Sequence, residues 1–166
     1  MPINAVSRRL ALRLPLALVG AAVLAQPFRA LAGSQPNQIT VWKTPNCGCC
    51  KEWVTHLRQS GFEVVTHDVK DTAPVREKFG LPVKFGSCHT ARLGHYVVEG
   101  HVPALELRRL LREEPTALGL AVPGMPIGSP GMEVGDTRHA YDVLLILTDG
   151  SSRIYQSYPS KTSVKS

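Results

Sequence analysis

The chain has 166 residues, of which 43% are hydrophobic, and a formal net charge of +6 at neutral pH. Four arginines and no acidic residue lie in the first 32 positions, so the 134 residues that follow carry a net charge of only +2. In that part no cluster of lysines and arginines is interleaved with aromatic residues, which argues against a nucleic-acid partner. It also contains no apolar run long enough to cross a bilayer, so we expect one folded domain without a membrane span.

Residues 1–32 have the pattern of a signal peptide. A basic start leads into an apolar run at residues 14–25, which is shorter than the ~20 residues that a transmembrane helix needs. The small residues at 30–32 suit signal peptidase, so we predict cleavage before Gly33. The paired arginines in residues 7–13 resemble a twin-arginine signal, with the general secretory route as the alternative. The sequence therefore predicts a periplasmic protein that is monomeric and free of the membrane after cleavage.

Beyond a linker at residues 33–38, the spacing of apolar residues predicts alternating strands and helices. The predicted elements are a strand at 39–42, a helix at 51–60, a strand at 62–69, a short helix at 73–79, strands at 87–93 and 96–99, and a helix from 103 to 115. Asn46 is the expected cap of the first helix, and Gly61 is expected to end it. The order β-α-β-α-β-β-α is that of the thioredoxin/glutaredoxin fold, so residues 39–115 are predicted to form an α/β, thioredoxin-like domain. In that fold a cis-proline precedes the third strand, where Leu81-Pro82 falls.

Residues 116–158 are predicted to form a C-terminal extension packed on this domain. Its first part, residues 119–135, is rich in glycine and proline and is expected to be irregular. Strands at 143–148 and 152–158 should then form a hairpin, and residues 159–166 should be a disordered tail. An alternative interpretation takes the cis-proline turn from Gly124-Met125-Pro126 and the last two strands of the domain from this hairpin. We prefer the first interpretation, because it alone places a helix after the hairpin.

Most of the chemistry lies in Cys47-Gly48-Cys49-Cys50. Cys47 and Cys50 have the C-x-x-C spacing of thioredoxin-like redox proteins, at a helix N-terminus that favours thiolate over thiol. Cys49 argues against simple disulfide exchange, because a third adjacent thiol invites scrambling. Clustered thiolates instead bind Cu(I) strongly and can bridge two or more ions. Zinc fits less well, because its ligands usually come from two separated pairs. The motif therefore predicts a copper–thiolate site.

Five further residues are candidate metal ligands, each with a structural alternative: Cys88, His89, His101, Met125 and Met132. Adjacent side chains on a strand face opposite ways, so only one of Cys88 and His89 is expected to reach the site. Cys88 is interpreted as a ligand or redox partner, or else as a core thiol. His101 is either an imidazole ligand or a helix cap, and the two thioethers either bind Cu(I) or fill gaps. The remaining candidates are expected to be solvated or structural: His56, His67, His95 and His139.

Three more motifs accompany the cysteines: Ser-Cys-His-Thr-Ala at 87–91, Glu-Gly-His-Val-Pro at 99–103, and Gly-Met-Pro-Ile-Gly-Ser-Pro-Gly-Met at 124–132. Together the four motifs resemble those of the CopG-type periplasmic metal-binding proteins of bacterial copper resistance. The resemblance extends over about residues 39–158. It implies a thioredoxin-like domain with a C-terminal extension and a multinuclear copper centre bridged by the cysteines of the C-x-C-C motif. It also implies a role in moving copper between its two oxidation states.

The leading hypothesis is a periplasmic copper-binding protein of copper tolerance that binds Cu(I) through its thiolates and cycles between Cu(I) and Cu(II). Its expected partners are copper ions and other periplasmic copper-handling proteins. One alternative is a thiol-disulfide oxidoreductase with Cys47 as nucleophile and Cys50 as resolving thiol, and another is a non-catalytic zinc or copper carrier. Metal binding is expected, and the sequence leaves open whether the site also turns over as a copper oxidoreductase. Cys49 separates the first two hypotheses, because an exchanger should tolerate Cys49→Ser.

Overall fold

The computed structural model describes residues 37–162, which form seven strands, three α-helices and one 3-10 helix. In chain order these are β1 (Gln38–Lys43), α1 (Gly48–Gln59), β2 (Glu63–Asp68), α2 (Ala73–Lys78), the 3-10 helix (Val83–Phe85), β3 (His89–Leu93), β4 (Tyr96–Glu99), α3 (Ala104–Glu113), β5 (Gly119–Ala121), β6 (Tyr141–Ile146) and β7 (Ser152–Tyr158). None of the helices in this part of the chain has the length and apolar character needed to span a membrane.

All seven strands belong to one sheet with the order β2-β1-β3-β4-β5-β6-β7. β1 is parallel to β2 and antiparallel to β3, which in turn is antiparallel to β4. This mixed α/β arrangement confirms the predicted order of elements and is compatible with a thioredoxin-like fold. The predicted extension continues the same sheet, because β5 pairs with β4 in parallel and β6 and β7 follow as antiparallel neighbours.

Apolar side chains cover both faces of the sheet. In β1 the pattern alternates, with Ile39 and Val41 fully buried. In the larger core cluster they pack with the apolar sides of α1 and α3, to which Trp53 and Leu107 belong, respectively. A smaller cluster of Leu81, Phe85, Val97, Ala121 and Ile146 forms a second core. Val97 and Val98 belong to different clusters because successive side chains of a strand point to opposite faces.

Several local predictions are corrected by the structure. α1 begins at Gly48, three residues before the predicted start, and its N-cap residue is Cys47 rather than Asn46. No peptide bond among residues 37–162 is cis, so the cis-proline expected at Leu81-Pro82 is not formed. The alternative interpretation of the late hairpin is wrong, since β3 and β4 pair beside β1 and α3 follows them.

β5 is a strand that the sequence did not predict, inside the segment expected to be irregular. It has only three residues, too few for a periodic pattern, and it is fully buried between β4 and β6. A Cβ at Gly119 would overlap the carbonyl oxygen of Val97, so glycine is required for this close pairing. In the predicted tail, Lys161 forms an isolated bridge with Arg138. The predicted signal peptide and residues 163–166 lie outside the described residues.

Candidate metal centre

The C-x-C-C motif lies at the N-terminus of α1. Sγ of Cys47 accepts a hydrogen bond from the backbone N–H of Cys50 at 3.3 Å, which caps the helix. A disulfide joins Cys47 to Cys50, and the Cα atoms of these two residues are 5.3 Å apart. Helix N-termini carry a partial positive charge that stabilises negative charge on nearby sulfur. Reduction of this disulfide would therefore produce two thiols at a position that favours the thiolate form.

Cys49 and Cys88 are the free thiols, and both are half-buried. Sγ of Cys49 lies 3.5 Å from Sγ of Cys47 and 3.9 Å from Sγ of Cys88. Cys88 belongs to the segment that enters β3, 39 residues after Cys49 in the sequence. The fold thus brings all four sulfur atoms within 4.8 Å of one another.

Cys88 also belongs to a second group of potential ligands. Its Sγ is 3.3 Å from Nδ1 of His89 and 3.1 Å from Nε2 of His101, and both imidazoles are fully buried. The expectation that only one of Cys88 and His89 would reach the site is wrong. β3 begins at His89, so the alternation of a strand does not extend back to Cys88.

The tautomer of His101 follows from its hydrogen bond to Pro130. Nδ1 of His101 lies 2.8 Å from the carbonyl oxygen of Pro130, which can only accept, so Nδ1 carries the proton and donates it. The Nε2 lone pair is then directed at Cys88. His101 does not cap α3, which was its alternative role. The backbone N–H of Ala104, the first residue of α3, donates instead to Nε2 of His56.

Burial favours the neutral forms of Cys88 and of the two histidines beside it. Burial, and secondarily the charge of Cys49, raises the pKa of Cys88 to about 12. Burial lowers the pKa of His89 to about 3, with His101 as the second cause, and burial also lowers the pKa of His101. Neutral imidazole is the form that binds metal, whereas a thiol must first lose its proton.

One atom of this group has no hydrogen-bond partner among the described residues. Nε2 of His89 is buried and unpaired, and the ring of His89 lies against that of Trp53 with centroids 4.3 Å apart. Trp53 is held in turn by a 2.8 Å hydrogen bond from Nε1 to the carbonyl oxygen of Val102. An unpaired buried polar atom is costly, and a role as a ligand is one explanation for it.

A buried ion pair lies beside the segment that carries Cys88. Oε1 of Glu99 accepts from Nε of Arg76 at 3.0 Å and from a terminal guanidinium nitrogen at 2.8 Å. The same oxygen accepts from the N–H of Ser87 at 2.6 Å, and Oε2 accepts from the hydroxyl of Thr90 at 2.6 Å. Burial raises the pKa of Glu99, while these donors favour its ionised form. Sequence analysis missed this pair, although a glutamate ending the apolar run of β4 was a signal for it.

The loop of residues 124–132 encloses the centre on another side. The hydroxyl of Ser87 donates to the carbonyl oxygen of Gly124 at 2.5 Å, and Pro130 accepts from His101. At Gly131 the loop touches α1 so closely that a Cβ would lie 2.7 Å from the carbonyl oxygen of Cys49. The loop is therefore fixed to both halves of the cysteine and histidine cluster.

The structure brings together six of the eight predicted site residues. They are the four cysteines, His89 and His101. The two methionines lie in the enclosing loop; the side chain of Met125 is 54% exposed, and Met132 is half-buried. As predicted, His56 has a structural role, and the exposed His67 stacks on Trp42.

The donor set suits a soft metal ion. Thiolate sulfur selects Cu(I) and zinc, and imidazole nitrogen suits copper in both of its oxidation states. Three of the four sulfur atoms come from one four-residue segment, which favours bridging over the paired arrangement of tetrahedral zinc sites. With the disulfide reduced, the residues present fit copper.

Comparison with known proteins agrees with this chemistry. A family model described as "Protein of unknown function, DUF411" matches residues 85–132, the part that supplies Cys88, both imidazoles and the enclosing loop. No curated protein matches the chain. Two solved structures, described as "Copper resistance protein copG- Form 2" and "Copper resistance protein copG- Form 1", share 45% sequence identity with it at a TM-score of 0.72. Each comparison covers 75% of this chain and 100% or 99% of the solved chain, respectively. The chain therefore belongs to the family of the copper resistance protein CopG.

Proposed function

We propose that this protein binds copper for copper tolerance, with Cu(I) held by the sulfur atoms of Cys47, Cys49, Cys50 and Cys88. The observation that carries the proposal is the convergence of four sulfur atoms and two buried imidazoles around Cys88 in a chain of the CopG family. Soft sulfur donors prefer Cu(I), and buried, neutral imidazole nitrogen adds donors without adding charge.

The arrangement supports a centre with more than one copper ion. Cys88 belongs to both groups of ligands, one made only of sulfur and the other of one sulfur and two imidazoles. A thiolate shared between the two groups can bridge ions bound in each. The mixed group also suits Cu(II), which supports a function in cycling copper between its two oxidation states.

Full use of the sulfur group requires reduction of the Cys47–Cys50 disulfide. Two electrons and two protons, supplied by a dithiol or an equivalent reductant, convert the disulfide into two thiols, and copper then displaces their protons. With the disulfide intact, Cys88, His89 and His101 still offer one sulfur and two nitrogen donors. The number and type of copper sites thus depend on the redox state of the motif.

The predicted signal peptide supports a periplasmic location, where the protein would exchange copper with other copper-handling proteins. Met125 and Met132 are proposed as outer ligands or transfer groups, because the loop that carries them also contacts His101 and Cys49. The exposure of Met125 suits an entry point for copper.

A second candidate function is thiol-disulfide exchange. The Cys47–Cys50 disulfide at the start of α1 favours it, because this is the placement of the reactive pair in thioredoxin-like proteins. Cys47 would be the nucleophile and Cys50 the resolving thiol. Cys49, with its sulfur 3.5 Å from that of Cys47, would compete for each mixed disulfide.

The two functions are separated by serine substitution of each cysteine in reduced, metal-loaded protein. We expect more than one Cu(I) per chain in the wild type, and loss of the centre in Cys47→Ser, Cys49→Ser and Cys50→Ser, because a hydroxyl is too hard a ligand for Cu(I). Met125→Leu serves as a matched control of similar volume and should lower affinity only mildly. The measurements are copper content against protein concentration, disulfide reductase activity, and circular dichroism to check folding.

A copper content at or below one ion per chain would contradict a multinuclear centre. Preference for zinc in direct competition would contradict the copper assignment and favour a zinc carrier. If Cys49→Ser keeps full copper while Cys47→Ser and Cys50→Ser abolish only reductase activity, thiol-disulfide exchange replaces metal binding as the function.

A further inference from the structure

The buried pair of Arg76 and Glu99 stands out because its charges are taken out of water beside the metal centre. Glu99 is fully buried, and Arg76 is 9% exposed. The desolvation cost of burying two charges offsets much of the free energy gained from their mutual attraction. Apolar residues of similar size often stabilise a fold as well or better. A contribution to stability therefore does not by itself explain why the protein contains this buried pair.

The hydrogen bonds of this pair converge on the backbone around Cys88. Glu99 accepts from the N–H of Ser87 at 2.6 Å, and the guanidinium of Arg76 donates to the carbonyl oxygen of the same residue at 3.0 Å. Both backbone polar groups of Ser87 are thus held by side chains. On the other side of Cys88 and His89, the hydroxyl of Thr90 donates to the second carboxylate oxygen of Glu99 at 2.6 Å.

Sheet pairing does not hold this segment by itself. β3 begins only at His89, and the preceding 3-10 helix ends at Phe85, so Ser87 and Cys88 lie between two regular elements. Gly100 packs tightly from the side of β4, where a Cβ would come within 2.6 Å of the hydroxyl oxygen of Ser87. The position of Cys88 therefore depends on side-chain contacts.

We propose that Arg76 and Glu99 are positioning residues that fix the backbone at Ser87 and so aim the Cys88 sulfur between the C-x-C-C motif and His101. The sulfur of Cys88 can contact both groups of ligands only within a small range of positions. The sulfur of Cys88 lies 3.1 Å from Nε2 of His101 and 3.9 Å from the sulfur of Cys49. A backbone shift of about 1 Å would remove it from one group or the other, as misplacements of this size do in other functional sites. The role in metal binding rests on the proposed function, whereas the placement of Cys88 can be tested separately.

Two variants test the pair, with a third as control. Arg76→Lys keeps a buried positive charge next to Glu99 but lacks the second donor that reaches the carbonyl oxygen of Ser87. The double variant Arg76→Met with Glu99→Gln removes both charges, so that neither is left buried without a partner. Glu113→Gln is the control, because it weakens the exposed pair with Arg109 on α3, away from Ser87.

The first measurement is the ratio of the alkylation rates of Cys88 and Cys49 in protein with the disulfide intact. Peptide mass spectrometry monitors the alkylation of each cysteine. These are the free thiols of the protein, so Cys49 serves as an internal reference. We expect the ratio to rise by about tenfold in the double variant and by less in Arg76→Lys, and to stay unchanged in Glu113→Gln. The second measurement is Cu(I) affinity of the reduced protein, which should weaken by about 10- to 100-fold in the double variant.

Circular dichroism and thermal unfolding establish that each variant is folded, and Arg76→Lys decides the question if the double variant does not fold. The proposal is overturned if the folded variants keep the wild-type alkylation ratio and Cu(I) affinity, since the pair would then serve stability only. If the wild type binds no copper, the proposed function fails, and the alkylation ratio still decides whether Arg76 and Glu99 position Cys88.

Discussion

Gly131→Ala tests how closely the enclosing loop must approach α1. Gly131 has a φ of +84°, a conformation that is costly for any residue with a Cβ. A Cβ built there would lie 2.6 Å from the backbone nitrogen of Trp53 and 2.7 Å from the carbonyl oxygen of Cys49. Both are backbone atoms of a helix and cannot rotate away, so the loop must move outward.

The expected loss of stability has two parts. The left-handed conformation costs an alanine ~1–2 kcal/mol. The steric overlap adds ~1–3 kcal/mol, as for overpacking in other tight sites. Gly124→Ala is the matched control from the same loop, because Gly124 has a φ of +71° but no atom within 4 Å of the added Cβ. The control should therefore lose only the conformational part, and the difference between the variants measures the close approach.

The assay is urea denaturation of both variants and the wild type in the metal-free, disulfide-bonded state, followed by copper loading after reduction. We expect Gly131→Ala to lose more free energy of unfolding than Gly124→Ala at an unchanged denaturant slope. It should also bind copper more weakly, because the moving loop carries Pro130, which orients His101. Equal losses of stability in the two variants, together with unchanged copper affinity, would refute the docking of this loop on α1.

Three further outcomes follow from burial and from the sequence. An unfolded histidine titrates near pH ~6.5, and burial lowers the pKa of His89 to about 3 and also lowers that of His101. Below pH ~6.5 the unfolded chain therefore binds more protons than the folded protein. The free energy of unfolding should decrease as the pH is lowered through this range, by up to ~1.4 kcal/mol per pH unit for each histidine. His89→Gln should flatten this dependence, and a slope equal to that of the wild type in denaturation series at several pH values would contradict the assignment. Because burial raises the pKa of Cys88 to about 12, Cu(I) loading of the reduced protein should release protons and weaken as pH falls, and calorimetry without proton release would mean that thiols are not the ligands. N-terminal sequencing of the exported protein should begin at Gly33, and a membrane-bound chain with an intact N-terminus would contradict the predicted signal peptide.

The sequence predicted the order of elements because local patterns carry that information. Alternation of apolar residues in β1 and a helical apolar face around Trp53 are properties of a few consecutive residues. The sequence also determined where the chemistry lies, since three thiols within four residues leave few structural uses. Element boundaries depend on individual contacts: Cys47 rather than Asn46 is the N-cap residue of α1, because its sulfur accepts a hydrogen bond from the backbone N–H of Cys50.

Only the tertiary structure decided which distant residues join the cysteines. Cys88 reaches the motif because β3 lies beside β1 in the sheet, so that the start of β3 is close to the start of α1, and His101 in turn contacts Cys88. No local pattern encodes that neighbourhood, which depends on pairing between strands far apart in sequence. The Arg76–Glu99 pair and the contact of Gly131 with α1 are likewise invisible in the sequence, because each is defined by atoms more than twenty residues apart. Residue types thus determined the chemistry available to this protein, and long-range packing determined which of those residues share one site.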